Sequence, residues 1–173
     1  MKHLLLLLTC LASFSFAQVA LPPAATWAME GNKKATIDFE IPTEGISDPS
    51  LSLSQFKGKP LVIFYFSSKC PHCMKAYPKL EFATQEFMAK GLNVLAISVS
   101  NNSKPSIRTF IENQNVKVPV VKDHRRIFSK RYGTGRVPVV YLVNAQGEYI
   151  RYRHFDNEIN DLKIELGKLF DNI

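Results

Sequence analysis

Six consecutive apolar residues, Leu61 to Phe66, lead through Ser67-Ser68-Lys69 directly into Cys70-Pro71-His72-Cys73. This juxtaposition constrains the fold more than any other part of the chain. An apolar run of that length between Pro60 and polar residues is the pattern of a strand buried on both faces. Such a strand needs other elements packed on each side of its sheet. After the cysteines, Ala76, Leu80, Ala83 and Phe87 recur at helical spacing, and Gly91 stands where a C-terminal cap is expected. A helix is therefore predicted from the cysteine pair to about residue 90. Pro78 lies inside it and, lacking an amide hydrogen, is expected to kink it one or two turns after its start.

Downstream, residues 92–99 read as a second strand, and Ser103 is placed to cap a helix carrying Ile107, Phe110 and Ile111 on one face. Residues 118–121 are short and extended, and 123–132 are predicted as a helix with Ile127, Phe128 and Tyr132 inward, ended by Gly133-Thr134-Gly135. Val137-Pro138 opens a strand through Val143, 144–147 turn, and 148–155 return antiparallel. Ile159, Leu162, Leu166, Leu169 and Ile173 mark a closing helix. Upstream, residues 36–41 alternate polar and apolar, and Leu51-Ser52-Leu53 does so again after Gly45, Asp48 and Pro49, which predicts a small hairpin. The fold class that follows is α/β, with a mixed central sheet covered by helices on both faces and an N-terminal β-hairpin extension.

The 173 residues hold one domain of ordinary size, and twelve Phe with six Tyr supply ample area for a core. The first seventeen residues stand apart. Lys2 and His3 precede an apolar run too short to span a bilayer, ending in Ser15-Phe16-Ala17, a small-x-small cleavage pattern. Residues 1–17 are thus expected to be a signal peptide, 18–35 a linker or loosely packed lead-in, and 36–173 the domain. A second cut after Ala20 is available. An exported, periplasmic location follows, without a lipid anchor at Cys10, because Thr9 is atypical before a lipidated cysteine. Trp27 is the one lead-in residue that requires a pocket.

Cleavage would remove Cys10 and leave Cys70 and Cys73. Two cysteines three residues apart close almost no loop, so they are not a staple for the fold. The net charge of +7 is spread along the chain apart from Lys122, Arg125, Arg126, Lys130, Arg131 and Arg136. In an exported protein this charge points to a solvated face, or else to acidic substrates or an anionic membrane surface, and no nucleic-acid partner is expected.

Cysteines at i and i+3, directly after a buried strand and on the first turn of a helix, form a candidate redox dithiol. Unpaired amides and the helix dipole favour an anion at Cys70, which would attack, and the deeper Cys73 would resolve. Pro71, His72 and Lys69 are candidate tuning residues. A protonated His72, or one donating a hydrogen bond to the Cys70 sulfur, would stabilise the reduced form and make the disulfide a stronger oxidant. The alternative is a copper-delivery protein holding Cu(I) with both thiolates and a histidine. A closed zinc site lacks ligands. No resident cofactor is expected.

From about Asp38 onward the chain resembles the thioredoxin-like superfamily, and most closely its exported TlpA/ResA/DsbE-type thiol-disulfide oxidoreductases. The resemblance rests on Leu53-Ser54-Gln55-Phe56-Lys57-Gly58-Lys59-Pro60, the CxxC, Pro78, Tyr132-Gly133 with Val137-Pro138, and the turn from Asn144 to Gly147. It implies a thioredoxin fold and a cis Val137-Pro138 bond facing Cys70, with Val137 and Pro138 as the substrate-binding edge. It also implies cysteine-containing protein substrates and a membrane or soluble thiol redox partner. Lys69 stands where the family often has Trp, and Phe64 and Ala76 occupy places where a buried acid can sit. The framework thus looks like a reductase, while the Pro-His dipeptide is that of DsbA-like oxidases; the direction leans to oxidant. A peroxiredoxin motif would need Pro seven residues before the cysteine, where Ile63 stands.

Overall fold

A computed structural model describes residues 26–30, 33–133 and 135–171. The expected leader at 1–17, Cys10, the start of the lead-in, Thr134 and Ile173 lie outside the described residues. β1 (Met29–Glu30) and β2 (Lys33–Lys34) pair as a separate antiparallel hairpin. β3 (Thr43–Gly45) and a 3-10 turn (Leu53–Phe56) follow. The body then runs β4 (Leu61–Phe66), α1 (Pro71–Met88), β5 (Asn93–Ser98), α2 (Lys104–Asn113) and β6 (Val120–Asp123). It ends with α3 (Ile127–Tyr132), β7 (Val139–Val143), β8 (Tyr149–Tyr152) and α4 (Phe155–Phe170). The six-stranded sheet has the order β3-β6-β5-β4-β7-β8. β4, β5 and β6 are parallel, and β3, β7 and β8 join their neighbours antiparallel. This is the thioredoxin fold.

The apolar run of β4 explains the layering, since all six of its residues are buried. Val62, Phe64 and Phe66 face a core shared with Tyr77 and Leu80 of α1, Phe110 of α2 and Leu162 of α4. Leu61, Ile63 and Tyr65 face a second core with Ile37, Phe39, Ile41, Phe56 and Phe128. The Phe64 and Phe66 rings stack 5.5 Å apart, and Phe66 lies 4.5 Å from Phe110. Ring pairs of this kind add about 0.5–1.5 kcal/mol each beyond area burial. β4 and the start of α1 are thereby held against packed layers on both sides.

Two local expectations are corrected. The N-terminal hairpin lies at β1 and β2, not between residues 36–41 and 51–53. Ile37, Phe39 and Ile41 are buried while Thr36, Asp38 and Glu40 are exposed, so the alternation records one-sided packing. That segment is anchored by Ile37 N donating to Gly147 O at 2.8 Å and by Asp38 N donating to Tyr132 Oη. The helix expected over 123–132 begins only at Ile127. Asp123 ends β6, and Arg125 and Arg126 turn through left-handed conformations with φ of 51° and 63°. α1 continues as one helix through Pro78.

The lead-in is seated from Trp27 onward. Trp27 bridges Ile150 of β8, Ala28 N donates to Tyr149 O at 2.8 Å, and Lys34 Nζ lies 5.1 Å over the indole ring. Ser103 caps α2 by accepting from Ser106 N at 3.3 Å.

Candidate functional site

Cys70 is the N-cap of α1, in extended conformation at φ −92° and ψ 115°. Its carbonyl accepts from Cys73 N at 3.0 Å and Met74 N at 3.2 Å, which closes the first helical turn. Pro71 at N1 is pre-set for helix and has no amide to leave unpaired. The turn places the two thiols differently: Cys70 is partly exposed, and Cys73 is fully buried at 0%.

The loop between β4 and α1 is held by Asn102, itself buried. Its Oδ1 accepts from Ser68 N at 2.8 Å and from Ser98 Oγ at 3.0 Å, and its Nδ2 donates to Ser67 Oγ at 3.4 Å. Ser68 Oγ donates to Ser106 Oγ at 3.0 Å, which ties the loop to α2. Ser67 N then points at Cys73 Sγ, 3.5 Å away. No motif announces Ser67, Ser68 or Asn102. The only signal in the sequence was that polar residues crowd the loop ends of two strands predicted to be neighbours.

From the other side, β7 pairs with β4 so that Val139 lies opposite Tyr65. This register brings the residues just before β7 to the mouth of α1. The Val137-Pro138 bond is cis, and Cys70 Sγ donates to Val137 O at 3.7 Å. Val137 N donates no hydrogen bond among the described residues. The structure thus brings Cys70, Cys73, Val137 and Pro138 together.

Pro71, His72 and Lys69 are exposed beside them. Among the described residues the His72 ring makes no hydrogen bond to the Cys70 sulfur. Burial pushes the Cys73 thiol far above its ordinary value; the Ser67 amide opposes that shift and the neighbouring Cys70 adds to it. Phe64 and Ala76 are both fully buried in the same core as Cys73. They place carbon where a carboxyl group could have received its proton. Among the described residues no group of three or more His, Cys, Asp or Glu side chains is placed to hold a metal ion. The copper alternative needs such a third ligand.

An accessible thiol at a helix N-terminus with a buried thiol one turn inside is suited to attack on, or by, a disulfide. The AhpC/TSA family profile matches residues 32–153. The thiol-disulfide oxidoreductase ResA of Bacillus subtilis is 26% identical over 108 residues, which are 62% of this chain and 60% of that relative's length. A ResA of Bacillus cereus is 24% identical over 122 residues, 69% of this chain and 70% of the relative. A secreted disulfide oxidoreductase of Mycobacterium tuberculosis, homologous to E. coli DsbE, superimposes with a TM-score of 0.61 at 16% identity, covering 72% of this chain and 96% of that one. The thioredoxin domain of a thiol-disulfide oxidoreductase from Bacteroides vulgatus gives 0.63 at 20% identity, covering 78% and 99%.

Proposed function

The chain belongs to the AhpC/TSA family, and from that premise we propose that it is an exported thiol-disulfide oxidoreductase acting on cysteine-containing proteins through Cys70 and Cys73. The observation that carries this reading is the pairing of a solvent-reachable N-cap thiol, 3.7 Å from the Val137 carbonyl, with a second thiol buried one turn deeper. The names of the curated relatives point the same way. Ile63, buried in β4, stands where a peroxidase motif of this family would require proline.

The working direction is oxidation of the substrate. A substrate thiolate attacks Cys70 Sγ of the Cys70–Cys73 disulfide; a Cys70–substrate disulfide forms and Cys73 leaves as a thiolate that takes up a proton. The substrate's second thiolate then attacks its own sulfur in that mixed disulfide, giving oxidised substrate and a Cys70 thiolate. Two electrons pass from substrate to protein. A soluble or membrane thiol partner must take them on to restore the disulfide. In the opposite direction Cys73 itself must lose a proton to resolve the mixed disulfide. Its burial and the absence of a carboxyl group at Phe64 and Ala76 work against that step.

Val137 and Pro138 form the edge along which an extended substrate lies, and the unused Val137 amide is its first hydrogen-bond donor. Lys69 by its charge, and His72 in its protonated form, favour the Cys70 thiolate, and Pro71 starts the helix that orients it. The cleavage pattern ending at Ala17 supports export, and among the described residues no helix is long and apolar enough to cross a membrane. The decisive test uses oxidised protein and a reduced dithiol substrate. Wild type should transfer its disulfide, reduced Cys73→Ser given the oxidised form of the substrate should hold it as a mixed disulfide on Cys70, and Cys70→Ser should do neither. A Cys70→Ser protein that still exchanged disulfides would overturn the proposal.

A further inference from the structure

A cavity of about 380 Å³ opens beside the two sulfurs. Val137 and Ser67, the residues that touch Cys70 and Cys73, form part of its wall, and Ser100, Asn101, Arg126, Ser129 and Arg136 add to its polar lining. Among the described residues no carboxylate lines it. Among the described residues neither guanidinium forms an ion pair with an acid of the chain. Two unpaired arginines with hydroxyl and amide groups between them form an anion site, because the guanidinium fork matches a carboxylate and no internal partner competes for it.

The arginines are brought there by separate devices. Arg136 is carried by its neighbour Val137, which sits at the mouth of the site. Arg126 lies in the left-handed turn between β6 and α3. That turn is pinned by the fully buried Asp123, whose carboxyl oxygens accept from Phe128 N at 3.0 Å, Ser129 N at 3.1 Å and Tyr65 Oη at 3.0 Å. Left-handed conformation costs a non-glycine residue energy, and here it holds at two successive arginines.

Resting on the thiol-exchange reading above, we propose that this cavity receives an acidic side chain close to the reacting cysteine of the protein substrate. A peptide lying extended along Val137 advances about 3.3 Å per residue. A Glu or Asp within two residues of its cysteine therefore reaches the cavity while its sulfur is at Cys70. The substrates favoured are those whose cysteine is flanked by acids.

The test compares matched dithiol peptides with Glu, Gln or Lys next to the reacting cysteine. They are mixed with protein oxidised beforehand by the dithiol oxidant diamide, which is then removed. Wild type at low salt should react about three- to tenfold faster with the Glu peptide than with the Gln peptide, as two partly exposed charge pairs allow. The Lys peptide should be slowest. The Glu-to-Gln ratio should fall toward one in 0.5 M salt and in the double variant Arg126→Gln/Arg136→Gln, while Arg126→Lys/Arg136→Lys should retain part of it. Because the ratio is taken within each variant, a general loss of rate does not mimic the effect. A wild-type ratio of one, or a ratio undiminished in the double Gln variant, overturns the cavity assignment and leaves exchange at Cys70 standing. Failure of wild type to oxidise any of the peptides overturns the exchange reading instead, and the cavity assignment with it.

Discussion

Cys70 Sγ lies 3.7 Å from the carbonyl oxygen of Val137, a residue 67 positions later in the chain. The contact sets the reactive sulfur against an unpaired stretch of backbone rather than against a side chain. An incoming peptide can then align through main-chain hydrogen bonds, which tolerates many sequences. The second thiol is withdrawn from this meeting point, since Cys73 is fully buried behind the first helical turn.

Unequal access should appear directly in alkylation. With the protein reduced and native, iodoacetamide is expected to modify Cys70 at least about tenfold faster than Cys73, because buried thiols are inert and thiolates react. Peptide mapping by mass spectrometry over a time course measures both rates. Equal rates would mean that the first turn of α1 opens readily in solution.

The reduction potential of the Cys70/Cys73 couple should lie above about −200 mV, nearer to the value of DsbA, about −120 mV, than to that of thioredoxin, about −270 mV. The reason is electrostatic, since Lys69, a protonated His72 and the start of α1 all favour the reduced thiolate form. His72→Gln should lower the potential by about 30 mV, the equivalent of about 1.4 kcal/mol for a two-electron couple. Equilibration in glutathione buffers at pH 7 decides it, and a wild-type value at or below that of thioredoxin would reverse the direction of the chemistry.

Alkaline pH should weaken the reduced protein through Cys73. Burial raises its thiol above the ordinary value of 9.0, so above that pH the unfolded chain releases a proton that the folded chain retains. Stability is therefore intact below pH 9 and falls as pH rises. Between pH 9 and 10 the loss from this group is about 1 kcal/mol. The buried Tyr77, Tyr132, Tyr141 and Tyr152 are raised too, but from 10.0, so their effect begins later. Urea unfolding under reducing conditions at pH 8, 9 and 10 should show the fall in wild type, and a smaller one in Cys73→Ala.

Much of the architecture was legible because long elements repeat their pattern often enough to be recognised. β4 declared itself by six apolar residues, and α1 by Ala76, Leu80, Ala83 and Phe87, all of which are buried. Short elements escaped. β1 and β2 have two residues each, too few for any periodicity, whereas 36–41 alternate clearly yet pair with no strand of the sheet. Within the site, chemical identity and spacing marked Cys70 and Cys73, and the family resemblance marked Pro138. Ser67, Asn102 and Asp123 were not marked, because their roles arise from hydrogen bonds to residues up to 58 positions away. The grouping of Arg126 with Arg136 in one cavity depends on the left-handed turn at 125–126, for which the chain carries no glycine signal.

Asp123 offers a way to separate the framework from the chemistry. Its carboxyl group accepts from the backbone amides of Phe128 and Ser129 and from the Tyr65 phenol. Hydrogen bonds to a charged acceptor contribute about 1.5–3 kcal/mol, and orphaned donors add to the loss. Asp123→Ala should therefore destabilise the protein by about 3 kcal/mol, and Asp123→Asn by less, since its amide oxygen can still accept. The sulfurs lie elsewhere, held by Ser67, Asn102 and Val137, so the potential of the Cys70/Cys73 couple should stay within about 10 mV of wild type, about 0.5 kcal/mol on the two-electron scale. The turn carrying Arg126 would loosen, and the preference for an acidic flank should fall in the same variant. Urea unfolding, redox titration and the peptide comparison on Asp123→Asn measure the three quantities separately. A large shift in potential would show that the β6–α3 turn and the thiol pair are coupled through β4 and Tyr65, the strand and side chain they share.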